Sequence, residues 1–226
     1  MRASSNYFVG QEVSLEGLLN KTIDELKISK EKKGLIREII EMLSMHSPFD
    51  YEHSIRVALL CKKMADFLEM NPRKMFLAGL FHDIGKSRIP LEILEAENWD
   101  EDCAEIIKRH AILGYIIIFG SSGLFRELAE VAEIILFVHK FQESPYPDST
   151  ELAPIVRKYQ KRIGSTLKYA RMVALADSFD SLHRVNERYS KLSGEEIYQL
   201  ILKENTEQSM IIKRLFRAGV FTKNIF

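Results

Sequence analysis

The chain is short of the features that announce most protein classes. Its two cysteines, Cys61 and Cys103, lie far apart inside helical patterns, which excludes a disulfide framework or a zinc knuckle and leaves both as buried thiols. Neither sign of charge is in excess. With 32 Lys plus Arg against 32 Asp plus Glu, nothing global argues for a nucleic-acid polymer or a membrane surface as partner. No apolar run reaches the roughly eighteen residues that a membrane span needs. The opening stretch "MRASSNYFVGQEVSLEGLL" has no uninterrupted apolar h-region, so the chain reads as cytoplasmic. Strand-like alternation, internal repeats and low-complexity tracts are missing as well.

What is present is helix. Apolar residues recur at three- and four-residue steps over 15–28, 33–45, 50–69, 72–84, 101–118, 124–140, 153–163, 166–182, 194–204 and 207–217. A chain of 226 residues with 46% hydrophobic side chains can bury a substantial core. The pattern predicts one all-α domain, 31–226, preceded by an N-terminal helical appendage, 1–30. The clearest loop is "QESPYPDSTELAP", with three prolines.

The stretch "FLAGLFHDIGKSRIP" sets His82 beside Asp83 at the end of an apolar run. A buried carboxylate there must be bonded, paired or metal-bound. Upstream, "SPFDYEHSIRVALL" offers Ser47 as an N-cap, Pro48 as the first helical residue and Asp50 as the carboxylate of a capping box. His53 then heads an inward stripe of Val57, Leu60, Met64 and Phe67. His110 shares a face with Ile106, Ile107, Leu113 and Ile117, and His139 with Val131, Ile135 and Leu136. His82 and Asp177 have small helical neighbours, Ala78 and Gly79 for one, Ala170 and Ala174 for the other, which predicts room for something bulky beside them. His46 and His183 fit the inward phase less well and serve as controls outside the site.

A lone inward histidine is ordinarily a core residue bonded to a carbonyl. Four of them with two inward aspartates satisfy one another only if they converge, and converging imidazoles and carboxylates make a metal site by their chemistry. Mixed nitrogen and oxygen donors suit transition metals, iron or manganese first with zinc or nickel as alternatives, better than calcium. Six donors exceed what one catalytic ion takes from protein. Two divalent ions with Asp83 as the bridge are therefore expected, an arrangement suited to phosphoryl-ester hydrolysis.

"HDIGK", with "EHSIRVA" before it and "KRHAILG" and "ALADSFDSL" after it, resembles the HD superfamily of metal-dependent phosphohydrolases, and within it the HD-GYP subfamily, over about 33–210. The resemblance implies that His53, His82, Asp83 and Asp177 are core metal ligands and that His110 and His139 hold a further ion. It matches Lys86 to the lysine of an HD-x-x-K element, a catalytic group that meets a phosphate oxygen beside Asp83. It further implies hydrolysis of cyclic di-GMP, with a cyclic dinucleotide or another small phosphate ester as partner and a signalling protein as a second kind of partner.

Three departures stand out. Val138 replaces one of two adjacent histidines. The "DGxGYP" loop becomes "ESPYPDS", keeping Tyr146, a candidate substrate contact, and Pro147 but placing Pro145, whose φ is fixed, where the family has glycine. The "RPY" element becomes "HRVNERYSKLS", in which Arg184, Arg188 and Lys191 are candidate phosphate contacts. These changes predict a two-ion centre and weak turnover. A degenerate domain that binds a nucleotide or a protein, and a phosphohydrolase of mononucleotides, stay open as alternatives.

Overall fold

The computed structural model describes residues 14–96, 100–123, 125–148, 150, 152, 157, 162–183 and 192–221, and every regular element among them is helical. Helices α1 (Leu15–Glu25) and α2 (Lys30–His46) lead into α3 (Pro48–Phe67) and α4 (Pro72–Phe81). A 3-10 turn (Ile84–Arg88), the short α5 (Leu91–Leu94), α6 (Glu101–Lys108), α7 (His110–Gly120) and α8 (Arg126–Leu136) follow. Short 3-10 turns at Ser121–Gly123 and Val138–Phe141, α9 (Ile163–His183), α10 (Gly194–Glu204), a last 3-10 turn at Thr206–Gln208 and α11 (Ser209–Arg217) complete the described elements. None of the described helices is long and apolar enough to cross a membrane.

Helix α3 is the spine. Ser47 Oγ caps it by accepting the Asp50 N–H, and Pro48 takes the first position, where no helical N–H bond is lost. The expected capping box does not close, because the Ser47 N–H is bonded to Leu43 O and the Asp50 carboxylate accepts from Ser47 Oγ and Lys86 instead. A closed capping box does occur at Ser193 and Glu196, at the start of α10. Helices α3 and α4 pack against each other, α9 lies across both, and Leu19 and Ile23 of α1 are buried in the same apolar cluster as Leu60, Met64 and Phe76.

The room expected beside His82 is filled by backbone. A Cβ at Gly79 would stand 2.9 Å from Cys61 Sγ and 3.0 Å from Ala58 Cα, so the small residues there let α3 and α4 approach closely. Helix ends also differ from the periodic pattern. The pattern at 72–84 stops at Phe81, that at 101–118 splits at Arg109, and that at 124–140 stops at Leu136. Two of these ends share a cause. His82 Nδ1 donates to Gly79 O and His110 Nδ1 to Ile107 O, so each imidazole takes a carbonyl that a continuing helix would have bonded. The helix expected over 153–163 lies almost wholly outside the described residues.

Candidate metal centre

These helix ends bring the six sequence-selected donors together. His53 comes from the second turn of α3, His82 and Asp83 from the end of α4, His110 from the first residue of α7, His139 from the 3-10 turn Val138–Phe141 and Asp177 from α9. Asp83 stands in the middle. Its Oδ2 lies 3.4 Å from His82 Nε2 and 3.8 Å from His53 Nε2, while its Oδ1 lies 3.3 Å from His110 Nε2 and 4.0 Å from His139 Nε2. Asp177 Oδ1 closes the first side, 3.1 Å from His53 Nε2 and 3.8 Å from His82 Nε2. Two groups able to hold a metal ion result, His53–His82–Asp83 and Asp83–His110–His139, with the aspartate common to both.

The hydrogen bonds behind the rings turn the nitrogens inward. His53 Nδ1 donates to Asp180 Oδ2 at 2.7 Å, and Asp180 is held by Arg56 Nε at 2.9 Å. With the Nδ1 bonds of His82 and His110 already directed to carbonyls, all three rings aim Nε2 at the centre. The donor set fits a cation on two further counts. His82 Nε2 is fully buried with no hydrogen-bond partner among the described residues, and His110 Nε2 faces His139 Nε2 at 2.8 Å, a contact of two nitrogens that a proton or a cation must mediate.

The local field separates the groups. Burial works against charge on Asp83 and Asp177, but the imidazoles around both, and Lys86 beside Asp83, hold their carboxyls well below the usual range. Burial also pulls His82 down, yet Asp83 and Asp177 outweigh it and push the ring up to about 9. His139 goes the other way, drawn down to about 3 by burial and by His110, and His110 itself is lowered by burial.

Around the donors is a cavity of about 340 Å³. Tyr146 lines it, stacked on His139 with ring centroids 4.7 Å apart, and burial raises its pKa so that the phenol stays neutral. Lys86 lines it too, but its ammonium is already bonded to Asp83 Oδ2 at 2.6 Å and to Asp50 Oδ1 at 2.9 Å. Val138 is 1% exposed and belongs to the apolar core, not to the cavity wall. His46 is bonded to Ile89 O and His183 packs on Phe179, and neither joins the donor groups. Arg184, Arg188 and Lys191 lie outside the described residues.

Three residues around the centre were not singled out from sequence for these roles. Asp180 falls one turn beyond Asp177 in "DSFD", and that spacing was the available signal. Asp50 is three residues before His53, but its helix-start position assigned it to capping. Gln142, whose amide bonds His139 Nδ1 at 3.0 Å, carried no signal.

An all-α core that gathers imidazoles and carboxylates from several helix ends around a shared aspartate defines a metal-binding helical domain. The chain belongs to the HD domain family, whose model matches residues 50–182. It is similar to the cyclic di-GMP phosphodiesterase response regulator RpfG of Xanthomonas campestris pv. campestris, with 28% identity over 80% of this chain and 46% of that protein. It is also similar to ribonuclease Y of Pelobacter propionicus, with 27% identity over 80% of this chain and 34% of that protein. The chain thus spans less than half the length of either curated relative. Among solved structures, the HD domain of the L. monocytogenes phosphodiesterase PgpH, crystallised with cyclic di-AMP, shares the fold at a TM-score of 0.51, with 19% identity over 82% of this chain and 86% of that one.

Proposed function

We propose that the chain is a metal-dependent phosphodiesterase of divergent HD-GYP type that opens cyclic di-GMP at a two-metal centre in the cytoplasm. One observation carries this reading. Asp83 turns one carboxylate oxygen toward each histidine pair, which is the arrangement a bridged pair of ions requires. The similarity to RpfG supports the choice of substrate.

Divalent ions held by His53, His82, Asp83 and Asp177 on one side and by Asp83, His110 and His139 on the other, iron or manganese before zinc or nickel, would supply Lewis acidity and lower the pKa of water. The chain's own residues do the rest. Asp180 and the two carbonyls fix the rings, and Asp83 and Asp177 supply the negative charge. Lys86 balances Asp83 and stands within the cavity for a phosphate oxygen. Tyr146 and the half-exposed Phe49 provide flat apolar walls against which nucleobases stack.

A second reading, a nucleotide- or protein-binding module with little turnover, is favoured by the two carboxylates that already engage Lys86. Elemental analysis beside a substrate panel separates the readings. The expected result is two ions per chain and slow opening of cyclic di-GMP. Tight binding without turnover supports the module. Activity confined to a mononucleotide ester, to other cyclic dinucleotides or to an RNA oligonucleotide overturns the substrate assignment.

A further inference from the structure

A second cavity, of about 460 Å³, lies between the end of α3, the first half of α9 and α11, and none of the six metal-centre donors lines it. Its walls divide by chemistry. Leu68, Met70, Leu167, Met172 and Ile211 give an apolar surface, while Lys168, Arg171 and Arg214 bring three cations with no carboxylate among the described lining residues, Glu207 acting on Arg171 only from outside that lining. Such a balance is selective. An apolar body is drawn in by the first set, and only a negative group offsets the second.

Arg171 makes the case specific. It is 8% exposed, and its Nε is buried with no hydrogen-bond partner among the described residues. Its Nη1 makes one long contact, 3.5 Å, with Phe141 O, and its guanidinium lies over the Phe141 ring with Cζ 4.7 Å from the centroid. A buried guanidinium with an unused N–H is costly unless a partner arrives. The planar fork of Nε and Nη donors matches the paired oxygens of a carboxylate or phosphate. Arg214, resting over Phe67 at 5.4 Å, and Lys168 add charge from two further positions on the wall.

We propose that this cavity is a binding site for a small organic oxyanion, a carboxylate or a phosphate monoester carried on an apolar body. The anionic group sits on Arg171 and its two basic neighbours, and the apolar body rests against Leu68, Met70, Met172 and Ile211. The site is independent of the metal centre and of the substrate assigned to it.

Isothermal titration of the whole chain with phenyl phosphate, benzoate, benzyl alcohol and inorganic phosphate tests this. Phenyl phosphate, benzoate or both should saturate at least tenfold tighter than the neutral alcohol and than inorganic phosphate. Whichever anion prevails identifies the source. Arg171→Gln should weaken binding at least tenfold. Because Arg171 is buried, Arg214→Gln and Lys168→Gln give the same test should that variant not fold, and each should weaken binding several-fold. Asp83→Ala should leave it unchanged, which separates this cavity from the metal centre. Absence of saturable binding by both anions, equal binding of benzyl alcohol, or loss of binding in Asp83→Ala would overturn the proposal.

Discussion

The two histidine pairs that share Asp83 are built differently. His53 stands in the second turn of α3 with Asp180 and Arg56 behind it, His82 follows the end of α4 with its Nδ1 on the Gly79 carbonyl, and Asp177 lies across from both rings. His110 and His139 sit on the first residue of a helix and on a 3-10 turn, with the neutral Ile107 carbonyl, the Gln142 amide and the Tyr146 ring as partners. The protonation follows the charge. His82 is pushed up to about 9 and His139 down to about 3. With Asp177 as a second carboxylate beside its rings, the first group is expected to fill before the second.

The most damaging test removes what the groups share. Asp83→Ala should lose both ions by elemental analysis and reduce hydrolysis by at least about a thousandfold, since neither group keeps its common donor. Asp180→Ala should split the groups instead. With His53 no longer braced, chelator competition should show a loss of about 10- to 100-fold in affinity at the tighter site and little change at the weaker one. Equal losses at both would erase the distinction drawn between them.

A change of pH should sharpen the contrast. The folded pKa of His82 is raised from 6.5 to about 9, so its proton stabilises the metal-free protein fully below about 6.5, and that contribution fades as pH rises through about 9. An ion entering the first group displaces that proton. Its affinity should rise with pH by up to about tenfold per unit between 6.5 and 9, with proton release seen by calorimetry in buffers of different ionisation enthalpy. The second group, whose rings are already neutral, should change little between pH 6.5 and 8. The smallest expected effect is Val138→His. Because Val138 is in the apolar core, the imidazole should add no ion and lower stability by about 1–3 kcal/mol, read as a drop in Tm.

The helix bodies were legible because burial imposes a period that the apolar residues obey. The breaks near His82 and His110 were not, because each coincides with an imidazole that bonds a nearby carbonyl, an event that periodicity does not encode. That the six candidate donors converge was readable from their inward phase and from the resemblance. Their supports were less so. Asp180 acts on His53 across 127 residues of chain, and Asp50 acts through Lys86, so neither role shows in a local pattern. The space expected from small neighbours of His82 was a misreading of the same signal, since small residues also mark where two backbones meet.

Such a meeting occurs two residues after the shared aspartate. A Cβ at Gly85 would stand 1.9 Å from His110 O and 2.6 Å from Gly114 N, so the turn that carries Asp83 lies directly on the backbone that carries His110. Main chain against main chain works as a fixed gauge between the two histidine pairs. Any side chain at position 85 has to push the turn that carries Asp83 off the backbone that carries His110, so the spacing between the two pairs is held by the one residue that contributes no side chain to it.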